Sequence, residues 1–295
     1  MARDAGINAR RVASRDATFQ QWQSLLTNRN KRLRAGEFLV QGVRPLSLAV
    51  EHGWTIRALL HDGRPSPSAW AKGLWTSLNT TRYIVAPELM QELGEKSAGI
   101  PELLAVVAMP PDDFSRIPVT ADLLVTVFDR PSSPGNLGTL CRAVDAFGGT
   151  ALFTTGHGAD PYDPKCIRAS TGSLFSVPVV RAASHREILA WLNEQRARDV
   201  PVVVIGTDER GDEDIRAVEF EQPTVLVIGN ETTGMTAAWR ENCDVLLRIP
   251  IVGTASSLNA ATAGSIALYE AMRHRIDRTG TRSRVIRATA DVNNQ

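Results

Sequence analysis

Residues 248–267 have the sequence RIPIVGTASSLNAATAGSIA, which indicates a strand, a loop of small residues and a helix. One of Ser256, Ser257 and Asn259 is enough to cap this helix, because a single side-chain acceptor serves the free N–H groups at its start. The helix is rich in Ala, Gly and Ser, whereas an ordinary amphipathic helix has more large apolar side chains. The stretch therefore favours a ligand-binding loop at the end of a strand over a simple connection.

The surrounding chain alternates between apolar runs and helical segments. Strands are predicted at 123–128, 151–154, 177–180, 202–205, 225–228 and 245–249. Helices are predicted at 137–147, 184–198 and 257–273. Continuous apolar runs are typical of parallel strands that helices cover on both faces. The pattern predicts a doubly wound α/β domain over residues 123–275, with ligands beyond the carboxyl ends of its strands.

A smaller α/β domain is predicted for residues 1–110. Its first helix, 12–30, has an apolar face that comprises Val12, Phe19, Trp22, Leu25 and Leu26. Short apolar strands and helical segments then alternate at 38–40, 45–52, 56–61, 83–85 and 103–109. The Pro- and Asp-rich sequence MPPDDFSRIPVTAD, at 109–122, has little periodicity, so residues 111–122 are the predicted linker.

The composition is that of a globular protein. The chain has 295 residues, 43% of them hydrophobic, and 33 Lys+Arg against 32 Asp+Glu, which excludes disorder and a disulfide scaffold. No apolar run approaches the roughly 18 residues that a membrane helix needs, and the N-terminus lacks the apolar core of a signal peptide. The three Cys form no CxxC pair, so no metal is predicted and the cytoplasm is the expected compartment.

The charge of the chain is unevenly distributed. Residues 1–36 have eight Lys/Arg and two Asp, and residues 273–287 have six Arg and one Asp, whereas the segment between them is net acidic. Because guanidinium groups bind phosphate oxygens in a fork, the two ends are predicted to be phosphate-binding arms, the second continuing as a basic tail over 276–295. Solubilising tails are the alternative, and composition does not distinguish the two.

Two further polar clusters follow predicted strands. In PGNLGTLCR, Asn136 is expected to cap the helix that carries Arg142. In LVIGNETTGM, Gly229 would let a ligand approach the backbone, and Glu231 is a carboxylate just beyond a buried strand. Taken singly, a helix cap, a solvated Arg and a tight turn with an exposed Glu explain these residues without a ligand.

Three segments together resemble a known family. NLGTLCRA, VIGNETTGM and IPIVGTASSLNAATAGSIALYEAMR, in this order, are similar to the signature motifs of the SpoU (TrmH-like) family of SPOUT RNA methyltransferases. The resemblance implies methyl transfer from S-adenosylmethionine to a ribose 2'-hydroxyl, a C-terminal domain with a trefoil knot and a homodimer. GEFLVQGVRPLSLAVEHGWTIRALLH resembles the substrate-recognition domain of members that act on ribosomal RNA. The length and basic arms are similar to those of methyltransferases with which antibiotic-producing actinomycetes protect their ribosomes.

The resemblance also implies roles for individual residues. The catalytic residues would be Asn136, Arg142, Glu231, Ser257 and Asn259. The cofactor would be held largely by backbone around Thr207, Gly229, Ile249 and Leu258. The candidate RNA-binding residues are Arg32, Arg34, Arg44, Lys165 and Arg168. NETTGM departs from the acidic-glycine form that is more usual in the second motif, which leaves the conformation of that loop open.

The chemistry fits these side chains. Guanidinium is a poor base because its pKa exceeds 12. Arg142 is therefore expected to bind the neighbouring phosphate and lower the pKa of the 2'-hydroxyl, with that phosphate as the proton acceptor. The polar sequence GADPYDPKCIRASTG has two interpretations, which are a set of RNA contacts and a simple helix start at Pro164. The other functions considered are a transfer RNA 2'-O-methyltransferase, a non-catalytic RNA-binding module and a nucleotide-dependent enzyme, although GxGxxG and GxxxxGK[ST] are absent.

Overall fold

A computed structural model describes residues 8–94 and 99–279, and the side chains of the last helix as far as Ile276. The chain forms two compact units. Unit 1 comprises the residues up to Pro111 together with Leu137–Arg142 and Ala159–Ser176, and unit 2 comprises the rest. Over the described ranges no helix is long and apolar enough to span a bilayer.

Strands and helices alternate in the first part of the chain. The strands are β1 (Ala9–Val12), β2 (Glu37–Gln41), β3 (Ile56–His61), β4 (Thr81–Val85) and β5 (Leu103–Ala108). The helices are α1 (Ala17–Thr27), α2 (Arg29–Ala35), α3 (Val43–Glu51), α4 (Ala69–Ser77) and α5 (Pro87–Leu93). These elements confirm the predicted α/β character, although the sequence analysis did not predict α4 and α5.

The alternation continues after a 3-10 turn at Phe114–Arg116. The strands are β6 (Leu124–Phe128), β7 (Ala151–Thr155), β8 (Val179–Ala182), β9 (Val203–Thr207), β10 (Glu213–Asp214), β11 (Thr224–Ile228) and β12 (Val245–Arg248). The helices are α6 (Pro134–Ala146), α7 (Pro164–Ser170), α8 (Ser173–Ser176), α9 (His185–Arg196), α10 (Ala237–Asn242) and α11 (Ala260–Thr279). Each predicted strand of this region is present, with bounds shifted by up to two residues.

The sheet of unit 1 is mixed. Its strand order is β1-β4-β3-β5-β2, in which β5 is antiparallel to both of its neighbours and the other pairs are parallel. One face buries Leu60, Val85 and Leu104 against Phe19 and Trp22 of α1. Hydrophobic burial on this face holds the helix to the sheet.

The structure corrects the predicted helix over 12–30. Val12 belongs to β1, where it pairs with Val85 of β4. Asp16 caps α1 by accepting a hydrogen bond from the Phe19 N–H at 2.9 Å, and Asn28 interrupts the helix and caps α2. Two capping side chains within the segment divide it, and this signal outweighs the continuous apolar face.

A buried ion pair joins segment 159–176 to the N-terminal part of unit 1. Arg32 is 2% exposed and Asp160 4% exposed. The Arg32 Nε and Nη2 atoms each lie 2.8 Å from Asp160 Oδ2, and Arg32 Nη1 donates to the Leu25 carbonyl at 2.8 Å. The other Asp160 oxygen accepts from the Tyr162 N–H at 3.0 Å. Both charges therefore have hydrogen-bonding partners away from water.

Aromatic rings pack beside this ion pair. The Phe38 and Tyr162 ring centroids are 4.7 Å apart, and those of Trp54 and Phe175 are 5.1 Å apart. Trp54 Nε1 also donates to the Phe175 carbonyl at 2.9 Å. These contacts explain why segment 159–176 clusters with unit 1, whereas its sequence position placed it inside the predicted methyltransferase domain.

The sheet of unit 2 is parallel, as predicted. Its strand order is β10-β12-β9-β11-β6-β7-β8. All its pairs are parallel, with β11 between β9 and β6. The core contains Val125, Val127, Val204 and Val227 from the central strands and Trp191 from α9. The trefoil knot that the family resemblance implies stays a prediction.

The predicted linker, 111–122, is partly packed. Ile117 is 5% exposed and belongs to the core of unit 2. Phe114 stands edge-on to Phe153 with the ring centroids 5.1 Å apart. Because Pro and Asp residues surround these two apolar side chains, the sequence has the composition of a linker. In the structure, however, the segment packs as part of unit 2.

We predict that Arg32→Ala lowers the free energy of unfolding by about 3–5 kcal/mol, because it leaves Asp160 buried without its charge partner. The double substitution Arg32→Met/Asp160→Leu should recover most of the loss, since it removes both charges. Chemical denaturation measures these changes, with the exposed Arg34→Ala as the control, for which we expect less than about 0.5 kcal/mol. A loss below about 1 kcal/mol in Arg32→Ala would contradict the prediction.

Candidate active site

A cavity of about 260 Å³ lies in unit 2 at the carboxyl ends of β9, β11 and β12. Parallel sheets bind ligands at this edge. Its walls include Thr207 at the end of β9, Gly229 after β11, Ile249 after β12 and Leu258 before α11. The structure therefore brings together all four residues that the resemblance assigns to the cofactor. Glu231 and Ser257 also line the cavity.

The second-motif loop is a tight hairpin. Asn230 and Gly234 exchange two backbone hydrogen bonds of 3.0 Å, and Gly234 has φ +68°. The Asn230 side chain accepts hydrogen bonds from the N–H groups of Thr232 and Thr233 at 2.9 and 3.1 Å, and it donates to the Arg130 carbonyl at 2.7 Å. The loop that the sequence left open is thus fixed by its own Asn side chain.

The structure shows a second reason why residue 229 is a glycine. A Cβ on this residue would collide with the Met235 backbone nitrogen and would lie 2.5 Å from the Gly234 carbonyl carbon. The backbone of the loop therefore packs against Gly229, and the approach of a cofactor to this residue stays a prediction. Any side chain at Gly229 would displace the loop before it filled the cavity.

Glu231 holds the turn that precedes α6. Its Oε2 atom accepts from the backbone N–H and the hydroxyl of Ser132, both at 2.8 Å. Its Oε1 atom accepts from the Ser133 N–H at 3.0 Å and from Asn136 Nδ2 at 3.1 Å. Burial raises the pKa of Glu231, but the hydrogen bonds from Ser132 and Ser133 favour the ionised form, and the net pKa lies below its ordinary value.

Asn136 links Glu231 to the third motif. Its Oδ1 atom accepts from Asn259 Nδ2 at 3.1 Å. Asn259 Oδ1 in turn accepts from the N–H groups of Ala261 and Thr262 at the start of α11. The expectation that Asn136 caps α6 is wrong, because Ser133 is the N-cap and accepts from the Asn136 N–H at 3.3 Å. The Asn136 side chain is thereby available for the cluster of Glu231, Asn136 and Asn259.

Arg142 is the one predicted catalytic residue that belongs to unit 1. It lies near the C-terminal end of α6, where its side chain is exposed. In unit 1, a Cβ on Gly138 of the same helix would collide with the Cys166 carbonyl. The glycine of the NLGTLCRA motif therefore permits the close approach of α6 to α7.

The predicted RNA-binding residues divide into two groups. Arg34, Arg44, Lys165 and Arg168 are exposed in unit 1. Arg32 is a correction: its guanidinium is buried against Asp160 and is not available to RNA. α7 begins at Pro164, so the helix start that the sequence left open is confirmed.

The structure also corrects part of the C-terminal arm. Arg275 donates to the backbone carbonyls of Asp122, Leu123, Phe220 and Gln222 at 2.6–3.1 Å. Its guanidinium thus fixes the end of α11 to the rest of unit 2. The Arg residues from 278 onward, and Arg3 of the N-terminal arm, lie outside the side chains that the structure describes.

Sequence reasoning missed two carboxylates of this site. Asp129, which is 2% exposed, accepts from the Thr155 hydroxyl at 2.7 Å and from the Thr236 N–H at 3.0 Å. Asp208 pairs with Arg240 at 2.8 Å in the cavity wall. Each Asp directly follows an apolar strand, which is the signal that could have identified it. Over the described residues, no cluster of three or more His, Cys, Asp or Glu could hold a metal ion.

Comparison with known protein families identifies the family of the chain. The model of the SpoU L30e-like domain matches residues 16–105, and that of the SpoU rRNA Methylase family matches residues 123–269. The chain belongs to the SpoU rRNA methylase family, which confirms the predicted family and enzyme class.

Individual relatives cover almost the whole chain. A 23S rRNA (uridine(2479)-2'-O)-methyltransferase from Streptomyces viridochromogenes is 55% identical over 285 residues, which are 95% of this chain and 99% of that protein. The crystal structure of the SpoU methyltransferase AviRb from the same organism, in complex with AdoMet, has a TM-score of 0.86 at 56% identity and covers 89% of this chain and 99% of that one. An AdoMet-bound rRNA methyltransferase from Sinorhizobium meliloti has a TM-score of 0.79 at 27% identity, covering 90% and 98%.

We predict that Glu231→Gln destabilises the protein at neutral pH by about 1–3 kcal/mol, because an amide cannot accept all the hydrogen bonds of the carboxylate. Because the pKa of Glu231 is lowered in the folded state, its ionised carboxylate stabilises the fold at pH values above the ordinary pKa of the group. This stabilisation is lost as the pH falls through the folded-state pKa. The difference from the wild type should therefore shrink on acidification. Denaturation at a series of pH values measures it, with Glu209→Gln, an exposed carboxylate of the same cavity, as the control. A pH-independent difference would count against the ionised carboxylate.

Proposed function

We propose that this protein transfers a methyl group from S-adenosylmethionine to a ribose 2'-hydroxyl of 23S ribosomal RNA. One observation carries the proposal: the cavity lined by the four predicted cofactor-binding residues opens beside the cluster of Glu231, Asn136 and Asn259. Family membership and the Streptomyces relative support it.

The residues of the cavity fit S-adenosylmethionine. Ile228, Leu247, Ile249 and Leu258 provide apolar surface, and the hairpin after Gly229 places the polar residues Asn230, Thr232 and Thr233 beside it. An adenosine needs apolar contact and a few polar groups to orient it, which this combination provides. When bound, the cofactor supplies an electrophilic methyl group on its sulfonium.

The side chains of the chain position the acceptor. Glu231 fixes Asn136, Asn136 fixes Asn259, and together they present amide groups that can orient a ribose. Ser257, exposed at the cavity, adds a hydroxyl. The Arg142 guanidinium would bind the phosphate next to the ribose and lower the pKa of the 2'-hydroxyl, and the phosphate oxygen would take the proton.

The substrate is inferred from the relatives. The identity of 55% over almost the full length favours a uridine of 23S ribosomal RNA over a transfer RNA, and the complete set of catalytic residues favours an enzyme over a non-catalytic binding module. The exposed Arg34, Arg44, Lys165 and Arg168 would bind the phosphates of this RNA. The cytoplasm is the compartment expected for an enzyme with such a substrate, and protection of the ribosome from an antibiotic is its expected role.

A homodimer completes the proposal. Large apolar side chains are exposed in the third-motif loop and on α11, namely Ile251, Val252, Ile266 and Tyr269. Ile266 and Tyr269 are three positions apart and share one face of the helix. Apolar residues exposed together favour a protein interface, here one beside the cofactor cavity. Arg142 of one subunit would then serve the cavity of its partner.

We expect the wild type to add one 2'-O-methyl group to 23S ribosomal RNA, and Arg142→Ala to bind S-adenosylmethionine with nearly unchanged affinity but to methylate at least about a hundredfold more slowly, because an interaction made in the transition state is lost. Mapping of 2'-O-methyl positions in cells with and without the protein, and titration calorimetry with a chelator present, measure the two results. Normal methylation by Arg142→Ala, or binding that requires a metal, would overturn the assigned roles.

We expect mixed dimers of Arg142→Ala and Ala263→Leu to be active when neither parent is. Ala263 is half-buried in the cavity wall, so a larger side chain there blocks the cofactor without the loop damage expected at Gly229. If the site is shared, the subunit with Arg142→Ala contributes an unchanged cavity wall, and the subunit with Ala263→Leu contributes an unchanged Arg142. One of the two cavities of the mixed dimer is then complete. The exposed Thr262→Leu is the control. If light scattering shows that the active enzyme is a monomer, the dimer proposal is wrong. If the enzyme is a dimer but the mixed dimers are inactive, only the proposal of a shared site is wrong.

A further inference from the structure

The backbone of Arg130, just beyond β6, is in an unusual conformation. Its φ is +50°, in the left-handed region that is costly for residues with a Cβ. The Arg130 N–H donates to the Thr155 hydroxyl at 3.1 Å, and its carbonyl accepts from Asn230 Nδ2 at 2.7 Å. Hydrogen bonds on both sides therefore hold an arginine at a position where glycine would adopt the backbone more easily.

Neighbouring residues contact both the aliphatic part and the guanidinium of the Arg130 side chain. A Cβ on Gly156 would lie 3.2 Å from Arg130 Cγ, so this glycine leaves room for the aliphatic stem. The guanidinium reaches the second-motif loop, where its Nη2 atom lies 3.4 Å from the Gly234 carbonyl and 3.5 Å from the Thr233 hydroxyl. The charged group is thus placed at the hairpin that borders the cavity.

The contacts of this guanidinium are all long. Its distance to Asp129 is 3.4 Å, whereas a charge-assisted hydrogen bond is about 2.7–2.9 Å. The Asp129 oxygens already accept shorter hydrogen bonds from Thr155 and Thr236. The Arg130 side chain is 40% exposed. The guanidinium therefore has a defined position, and its N–H groups can still donate strong hydrogen bonds to an anion.

The location of Arg130 indicates which anion. Thr233 and Gly234 line the cavity, but Arg130 does not, so its guanidinium lies outside the cavity wall. Ser132, two residues after Arg130, binds Glu231, and the negative charge of this carboxylate repels a polyanion. A strand of RNA at this cluster needs a cation beside it, and a guanidinium fork fits phosphate oxygens.

We propose that Arg130, with the Thr233 hydroxyl as a second donor, binds a phosphodiester group of the RNA substrate next to the Glu231 cluster. The proposal rests on the proposed function, because the ligand is that RNA. The left-handed backbone directs the side chain across the loop, so binding of this phosphate places the strand relative to the catalytic amides. Arg130 is a substrate-binding residue and not part of the cofactor site.

Arg130→Gly separates this role from folding, because glycine accepts the positive φ and removes the guanidinium. We expect its melting temperature to equal or exceed that of the wild type. Its affinity for S-adenosylmethionine should stay within about twofold, its KM for a 23S RNA fragment should rise about tenfold, and the slope of RNA affinity against salt should fall by about one. Arg130→Lys should keep the salt slope, since it keeps the charge. Arg216→Ala, an exposed arginine elsewhere in unit 2, is the control.

Three results would overturn the proposal while the wild type still methylates RNA. An unchanged KM and salt slope would show that no phosphate is bound. Weaker cofactor binding with unchanged RNA affinity would assign the guanidinium to the cofactor carboxylate. A lower melting temperature with both affinities reduced in parallel would make Arg130 a purely structural residue. A wild type that does not methylate RNA would instead overturn the proposed function, and this inference with it.

Discussion

The active-site arrangement depends on the carboxylate of Glu231. It accepts hydrogen bonds from two backbone N–H groups and a hydroxyl of the turn before α6, and from the Asn136 amide in the first turn of that helix. An ionised carboxylate can accept all four hydrogen bonds, and a hydrogen bond to a charged acceptor is stronger than one between neutral groups. One side chain of the second motif therefore fixes the first motif, and Asn136 extends the network to Asn259 and the start of α11.

Close backbone contacts occur at motif glycines in each unit. Gly229 lies against Gly234 and Met235, and Gly138 lies against the Cys166 carbonyl, so neither position has space for a Cβ. The glycines of the motifs thus serve the packing of loops and helices. The apolar strand ends and the second-motif loop then form the cavity wall together with the Asp208–Arg240 ion pair.

The arginines illustrate how one residue type serves different purposes. Arg32 is buried in unit 1 and holds Asp160, and Arg275 binds four backbone carbonyls at the end of α11. Arg130 and Arg142 keep exposed guanidinium groups. All four stand in basic or polar stretches that look alike in sequence. Their burial and partners separate structural cations from those that can meet a phosphate.

The sequence by itself determined the α/β class, the parallel sheet of unit 2 and the positions of most of its strands, because continuous apolar runs and capping residues are local signals. It also placed Glu231, Asn136 and Asn259 in one site, through three motifs that agree in order. It could not show that Ser133 rather than Asn136 caps α6, that Asp129 and Asp208 are held at strand ends, or that segment 159–176 packs with unit 1. Glu231 binds the Asn136 amide across 95 residues, and the partners of Asp129 and Asp160 lie 26 to 128 residues away in the chain. Only tertiary packing therefore decides which polar groups are buried together and which remain exposed.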